Sequence, residues 1–194
     1  MKNKTLFKFF IVGLIITIFS AILFFNGSKI WYFSGGLGLW FIFDYLDSFR
    51  EKNTALQILL RDKKKFLKLY LAMVLFGASI EFIGRFIFGL WEYPHYNKIH
   101  EVASVLFYPF LLFQLREMYI LVISKIKKPI VSLASAVILG VIIWEVPNLF
   151  SNNWIYYIPF VSLEISNINI IVILSWTLLI IIPNYIYKVV LKRK

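Results

Sequence analysis

Glu81-Phe-Ile-Gly84-Arg85-Phe-Ile-Phe-Gly89-Leu90-Trp91-Glu92-Tyr93-Pro94-His95-Tyr96-Asn97 is the stretch that decides how this chain folds. Its first half continues an apolar helix and carries a carboxylate and a guanidinium four residues apart, Glu81 and Arg85. Its second half is an aromatic turn. A second copy stands at Trp144-Glu145-Val146-Pro147-Asn148 and runs on to Trp154-Ile155-Tyr156-Tyr157-Ile158-Pro159. A fainter third precedes both, at Asn26-Gly27-Ser28-Lys29-Ile30-Trp31-Tyr32. Trp and Tyr at the end of an apolar run collect where a bilayer meets water. Each copy therefore reads as a corner between two membrane helices.

Composition supports that class. The 194 residues are 60% hydrophobic, 19% aromatic and 16% charged, with a mean hydropathy of +0.78. A soluble domain carries about 25% charged residues, so this chain lacks a polar coat and its outer surface must face lipid. The formal charge of +11 could suggest nucleic acid. The lysines and arginines, however, fall in short clusters between apolar runs, which is the pattern of juxtamembrane anchors. The expected partners are membrane lipids, with anionic head groups at the cytoplasmic face, and not nucleic acid. Cysteine is absent, which removes disulfides, thiolate chemistry and cysteine metal sites. Two histidines are too few for a histidine-only metal cage.

Working outward from the corners, Lys2, Lys4 and Lys8 lead into an apolar run over residues 9–25. A signal peptide has a similar basic start, with Ser20-Ala21 as a cleavage point, but the run continues past it at the length of a span. Residues 31–45 form a second, shorter span containing Gly35, Gly36 and Gly38, which let a neighbouring helix come close. Residues 48–65 hold Arg50, Lys52, Arg61, Lys63, Lys64 and Lys65, with Leu56, Leu59 and Leu60 at helical spacing. That segment reads as a helix lying on the cytoplasmic membrane surface, with a plain solvated loop as the alternative. Four more spans follow, at about 66–90, 102–123, 130–150 and 165–186.

Orientation follows from the cations. The N-terminus, the 48–65 segment, the 124–128 link and the tail hold most of them, and six spans put all four on one side. Lys29 and Lys98 remain on the other. The positive-inside rule places both termini in the cytoplasm and the corners outside, in a multi-pass protein of the inner (cytoplasmic) membrane. The expected fold is all-α: one transmembrane domain over 1–194, six helices in three hairpins at about 9–47, 66–123 and 130–187. An even number of spans per unit makes such repeats parallel, with Trp31, Trp91 and Trp154 at one depth.

Polar groups inside the spans carry the chemistry. A charge near the bilayer centre costs about 2.5–3.5 kcal/mol even on the lenient insertion scale, so it should be paired and turned inward. Glu81 and Arg85, at i and i+4, share a helix face. Glu145 and Asn148 share another, beside Pro147, which loosens the local backbone. Gln114, Arg116 and Glu117 add to them in the fourth span, while Asp44 and Glu164 lie nearer the ends. Two readings stay open. Glu81, Arg85, Arg116, Glu117 and Glu145 either form an ion-pair network that locks the hairpins, or line a polar cavity open toward the corners.

In the cavity reading Glu81 and Glu145 are the candidate catalytic residues, because a carboxylate in apolar surroundings can act as general acid toward a double bond or a lipid head group. Arg85, Asn148, Trp91, Tyr93, Trp154, Tyr156, Arg116 and Glu117 are the candidate binding residues. The four aromatic ones also fit an ordinary interfacial belt. Glu92, His95, His100 and Glu101 share a loop without the spacing of a zinc signature, so neither metal nor cofactor is expected. A phosphate-cradling glycine loop, a Ser-His-Asp arrangement, a paired-histidine iron motif and a nucleophile elbow are all missing, which leaves hydrolase, kinase and desaturase readings without support.

The pattern Glu81-x-x-Gly84-Arg85…Leu90-Trp91-x-Tyr93-Pro94, with Trp144-Glu145-x-x-Asn148…Asn153-Trp154-x-Tyr156, resembles a group of small integral membrane proteins of bacteria and archaea. Their repeats read Phe/Trp-Glu-x-x-Asn, then Asn-Trp-x-Tyr. The likeness covers spans three to six, with Gly84-Arg85 standing in place of the first asparagine, and that group brings no established activity. More distantly the chain resembles the small membrane proteins of carotenoid biosynthesis, including the heterodimeric type of lycopene cyclase, although their Pro-x-Glu-Glu motif is absent. The second likeness implies an isoprenoid (carotenoid-like) or other lipid as ligand. An enzyme or binder of such a lipid is the first functional expectation. A non-catalytic subunit docking a membrane-protein partner through its corners is the second, and a small-solute transporter the third.

Overall fold

The computed structural model describes residues 2–159 and 161–191, with side chains from Lys4 onward. Among these residues there are seven α-helices. They are α1 (Lys2–Phe25), α2 (Trp31–Asp47), α3 (Ala55–Arg61), α4 (Lys63–Glu81), α5 (Lys98–Ile126), α6 (Pro129–Ser151) and α7 (Ile170–Val190). A π-helical turn, Phe82–Ile87, continues α4. Four two-residue strands sit in the corners: β1 (Trp91–Glu92), β2 (Ile155–Tyr156), β3 (Glu164–Ile165) and β4 (Ile168–Asn169).

Five helices are long and apolar enough to cross a membrane: α1, α4 with its π turn, α5, α6 and α7. The expected sixth span is α2, whose 17 residues make about 26 Å at 1.5 Å per residue, short of a hydrocarbon core of about 30 Å. It packs between α1 and α5 instead of standing at the rim. Its glycines explain how: a Cβ on Gly38 would lie 2.5 Å from Thr17 Oγ1, and one on Gly13 would lie 2.8 Å from the Gly38 carbonyl oxygen. Only glycine lets the two backbones approach that closely.

Local chemistry sets the boundaries. Gly27, at φ +70°, closes α1 in a Schellman arrangement: Gly27 N bonds Phe24 O at 2.9 Å and Ser28 N bonds Leu23 O at 2.9 Å. Asp62, Asn97 and Asn169 cap α4, α5 and α7 through their side chains. Pro129 opens α6 at its first turn, where the missing N–H costs nothing. The 48–65 segment contributes only the seven-residue α3, and its face is turned inward: Ala55, Leu56 and Ile58 are buried. Lys63, Lys64 and Lys65 belong to the first turn of α4.

α5 is the axle of the bundle. Leu112 to Met118 are buried without interruption, because α2, α4, α6 and α7 all pack against this helix; a helix buried on every side needs no polar face. Trp40, Leu56, Leu69, Met73, Phe113 and Tyr187 gather at the basic end. Trp31, Leu115, Met118, Trp144, Trp176 and Ile180 gather nearer the corners.

Candidate functional site

The corners fold inward. β1 pairs with β2 antiparallel, Trp91 opposite Tyr156 and Glu92 opposite Ile155, and Tyr157 N bonds Leu90 O at 2.7 Å. The first corner joins them: the Lys29 carbonyl accepts from Asn153 Nδ2 at 3.1 Å and from Tyr96 OH at 3.4 Å. Lys29 Nζ in turn donates to the Ser151 carbonyl.

Each corner supplies a cradle for one buried carboxylate. Glu81 Oε2 accepts from Trp91 Nε1 at 3.3 Å, and its Oε1 accepts from Tyr93 OH at 2.6 Å and Tyr108 OH at 2.7 Å. Glu145 Oε2 accepts from Trp154 Nε1 at 3.2 Å, and its Oε1 accepts from Tyr156 OH at 2.9 Å and Trp176 Nε1 at 3.1 Å. In both cases the Trp and Tyr come from the corner after the carboxylate, and the third donor comes from the following helix. The carboxylates are 5% and 2% exposed, so three donors offset the loss of water at each.

Glycines make room for the donors. A Cβ on Gly77, one turn before Glu81, would stand 2.8 Å from Tyr108 Cβ. One on Gly140, before Glu145, would stand 2.9 Å from Trp176 Cε3. Gly84 is tighter still: its Cβ would fall 1.8 Å from Trp91 Cη2, so the Trp91 ring packs directly against the π turn. Burial, reinforced by Tyr108 and Glu81 beside Tyr93 and by Glu145 beside Tyr156, pushes these two phenols well above the ordinary tyrosine range. They remain protonated and keep donating.

The remaining expected site residues divide. Asn148 closes on the backbone of Trp154, its Nδ2 donating to Trp154 O at 2.8 Å and its Oδ1 accepting from Trp154 N at 3.1 Å. Arg85 does not pair with Glu81. It binds Glu101 at 2.7 Å and lies 5.1 Å from the Tyr93 ring centroid. The π turn explains the change: Phe88 N bonds Ile83 O, five residues back, and the wider turn breaks the i, i+4 register on which a Glu81–Arg85 pair depends.

Arg116 and Glu117 sit elsewhere, toward the basic end. Arg116 Nη1 meets both Glu117 oxygens at 2.8 Å, and its guanidinium stands 4.1 Å from the Tyr187 ring centroid. Nearby, Asp44 accepts from Trp40 Nε1, Thr54 Oγ1 and Leu56 N at 3.3, 2.5 and 2.8 Å, tying the end of α2 to the start of α3. The five charges at membrane depth thus form two separate groups. Glu92, His95, His100 and Glu101 do not converge: Glu92 accepts from Tyr157 and Glu101 holds Arg85.

A cavity of about 550 Å³ lies beneath the corners. Glu145 lines it directly, while Glu81 sits behind Trp91, Tyr93 and Tyr108, whose rings form the wall. Tyr108 and Trp176 are the members that sequence reasoning missed. The only signal for them was a glycine one turn ahead of each carboxylate, Gly77 and Gly140. No family model, curated protein or solved structure matches the chain, and the geometry of this cavity is therefore what speaks for its use.

Proposed function

We propose that the protein is a multi-pass membrane protein whose cavity takes a lipid-like ligand of isoprenoid type directly from the bilayer. One observation carries this reading. Phe76, Ser79, Ile80 and Ile83 form a stripe along α4 and its π turn, and Ser175, Leu178, Leu179 and Ile182 form a stripe along α7; both line the cavity. Ser79, Ile83, Ser175 and Leu178 are exposed as well, so the cavity opens sideways between the two helices. In a membrane such an opening faces acyl chains, not water. The volume is that of an ordinary small-molecule site, roughly 300–1,000 Å³.

Where the ligand is turned over, Glu145 is the group placed to give or take a proton, with Tyr156 and Trp176 fixing its orientation and Glu81 holding Trp91 and Tyr93 from behind. Docking of a partner through the corners is the weaker reading, since Trp91, Tyr93, Trp154 and Tyr156 direct their polar atoms inward. The matched cradles favour α4–α5 and α6–α7 as two repeats of one hairpin, with α1–α2 a third that lost its carboxylate. The basic clusters favour cytoplasmic termini and outward corners.

Lipid analysis of the protein purified in mild detergent tests the proposal. An apolar lipid enriched over the bulk membrane extract is expected, and Ser175→Phe, which narrows the opening, should remove the enrichment. A bound-lipid profile identical to the bulk extract in both proteins would overturn it.

A further inference from the structure

Resting on that lipid-binding reading, we propose that the polar end of the ligand carries a positive charge: an ammonium-headed amphiphile, its head among the corner aromatics and its chain between α4 and α7. The wall at that end is built from Trp91, Tyr93, Trp144, Trp154, Tyr156 and Trp176, with the Glu145 carboxylate among them. Among the described residues that line the cavity there is no Lys, Arg or His. The guanidinium nearest in sequence, Arg85, is taken by Glu101 at 2.7 Å.

Among the described residues, every donor to Glu145 and Glu81 is a neutral indole or phenol. These bonds satisfy the oxygens without bringing a compensating positive charge, and Glu81 adds a second carboxylate just behind the wall. A phosphate head would enter facing two acids and no cation, at low dielectric, where like charges repel strongly. A hydroxyl end could hydrogen-bond the Glu145 carboxylate but carries no charge for it or the ring faces to attract. An ammonium gains twice: from the carboxylate, and from indole and phenol faces, which attract cations most strongly when desolvated and are the recurrent cage for quaternary ammonium groups.

The test compares three amphiphiles of one chain length added to the purified protein in non-ionic detergent: hexadecyltrimethylammonium, hexadecanol and hexadecyl phosphate. Trp91, Trp144, Trp154 and Trp176 all line the cavity, so intrinsic fluorescence reports occupancy. The ammonium should bind about tenfold more tightly than the alcohol, with the phosphate weakest. Glu145→Gln should bring the affinities of the ammonium and the alcohol close together, the ammonium losing more than the alcohol. Equal affinity for all three, weakened in each case by Ser175→Phe, would overturn the charged head and leave the lipid site standing. Saturable binding of none would overturn both. Phosphate binding most tightly would reverse the sign of the site. The ranking is read on the unaltered protein, so a Glu145→Gln variant that fails to fold does not shelter the proposal.

Discussion

Trp176 reaches Glu145 across the α6–α7 interface, Nε1 to Oε1 at 3.1 Å, and its ring rests on the space that Gly140 leaves free. Tyr108 stands in the same relation to Glu81 and Gly77. In each case one glycine, one aromatic donor and one carboxylate join consecutive helices at the depth of the cavity.

Removing only the donor separates its hydrogen bond from its packing. Trp176→Phe and Tyr108→Phe keep a ring against the glycine and delete one bond to a buried carboxyl, worth about 1.5–3 kcal/mol. Thermal melting of the detergent-solubilised variants should show a loss for both, the larger for Trp176→Phe, which also gives up the second ring of a buried indole. Trp31→Phe is the control for the tryptophan, because Trp31 is buried but its Nε1 has no hydrogen-bond partner among the described residues. A loss for Trp176→Phe no larger than that for Trp31→Phe would mean that the smaller ring, and not the bond, was being read; Tyr108→Phe keeps the ring and reads the bond alone.

Gly84→Ala attacks the first cradle from beneath. The new methyl group would fall 1.8 Å from Trp91 Cη2, so the indole must leave its seat and with it the bond to Glu81. Overpacking of this kind costs about 1–3 kcal/mol, to which the lost bond adds. A lowered melting temperature together with a shift in tryptophan emission is expected; unchanged emission would show that the ring had not moved.

Much of this fold was legible in the sequence because apolar runs of 20 or so residues leave few alternatives. The corners were legible too, since Trp91, Tyr93, Trp154 and Tyr156 stand at nearly the same offsets from Glu81 and Glu145. The partner of Arg85 was not. Spacing predicts Glu81 on a regular helix, and the residue-by-residue signal for a π turn at Phe82–Ile87 is too faint to displace that geometry. Nor did spacing separate Arg116 and Glu117 from the cavity: hydropathy gives depth along a helix axis but says little about which neighbours surround it. Tyr108 and Trp176 were hidden for a related reason, being aromatic residues among 19% aromatic residues, marked only by the glycines they face.

Topology has its own test. A reporter active only in the periplasm should be active when fused after Lys98 or Asn152 and silent after Lys65 or Lys127. The basic clusters flanking α4 and linking α5 to α6 drive this expectation. The reverse pattern would put the corners in the cytoplasm.

The two arginine pairs should behave oppositely, which divides the lock from the cavity. Arg116 and Glu117 are 4% and 0% exposed as side chains, and Asp47 is close enough to act on the same guanidinium. Arg116→Gln would leave Glu117 buried among acids without its cation, at about 3–5 kcal/mol. Arg116→Leu with Glu117→Leu should recover part of that loss, because apolar residues of similar size need no counter-charge, although Asp47 still loses its cation. Arg85 and Glu101 are 19% and 32% exposed, so either partner left alone is partly solvated, and Arg85→Gln should cost no more than about 1 kcal/mol. Melting curves for the three variants decide the matter. A large loss for Arg116→Gln, rescued in the double variant, beside a small loss for Arg85→Gln places the structural lock at the α5–α7 end. It also leaves the corner carboxylates free for a ligand. Equal, large losses for both arginines would instead make the whole set of buried charges one lock.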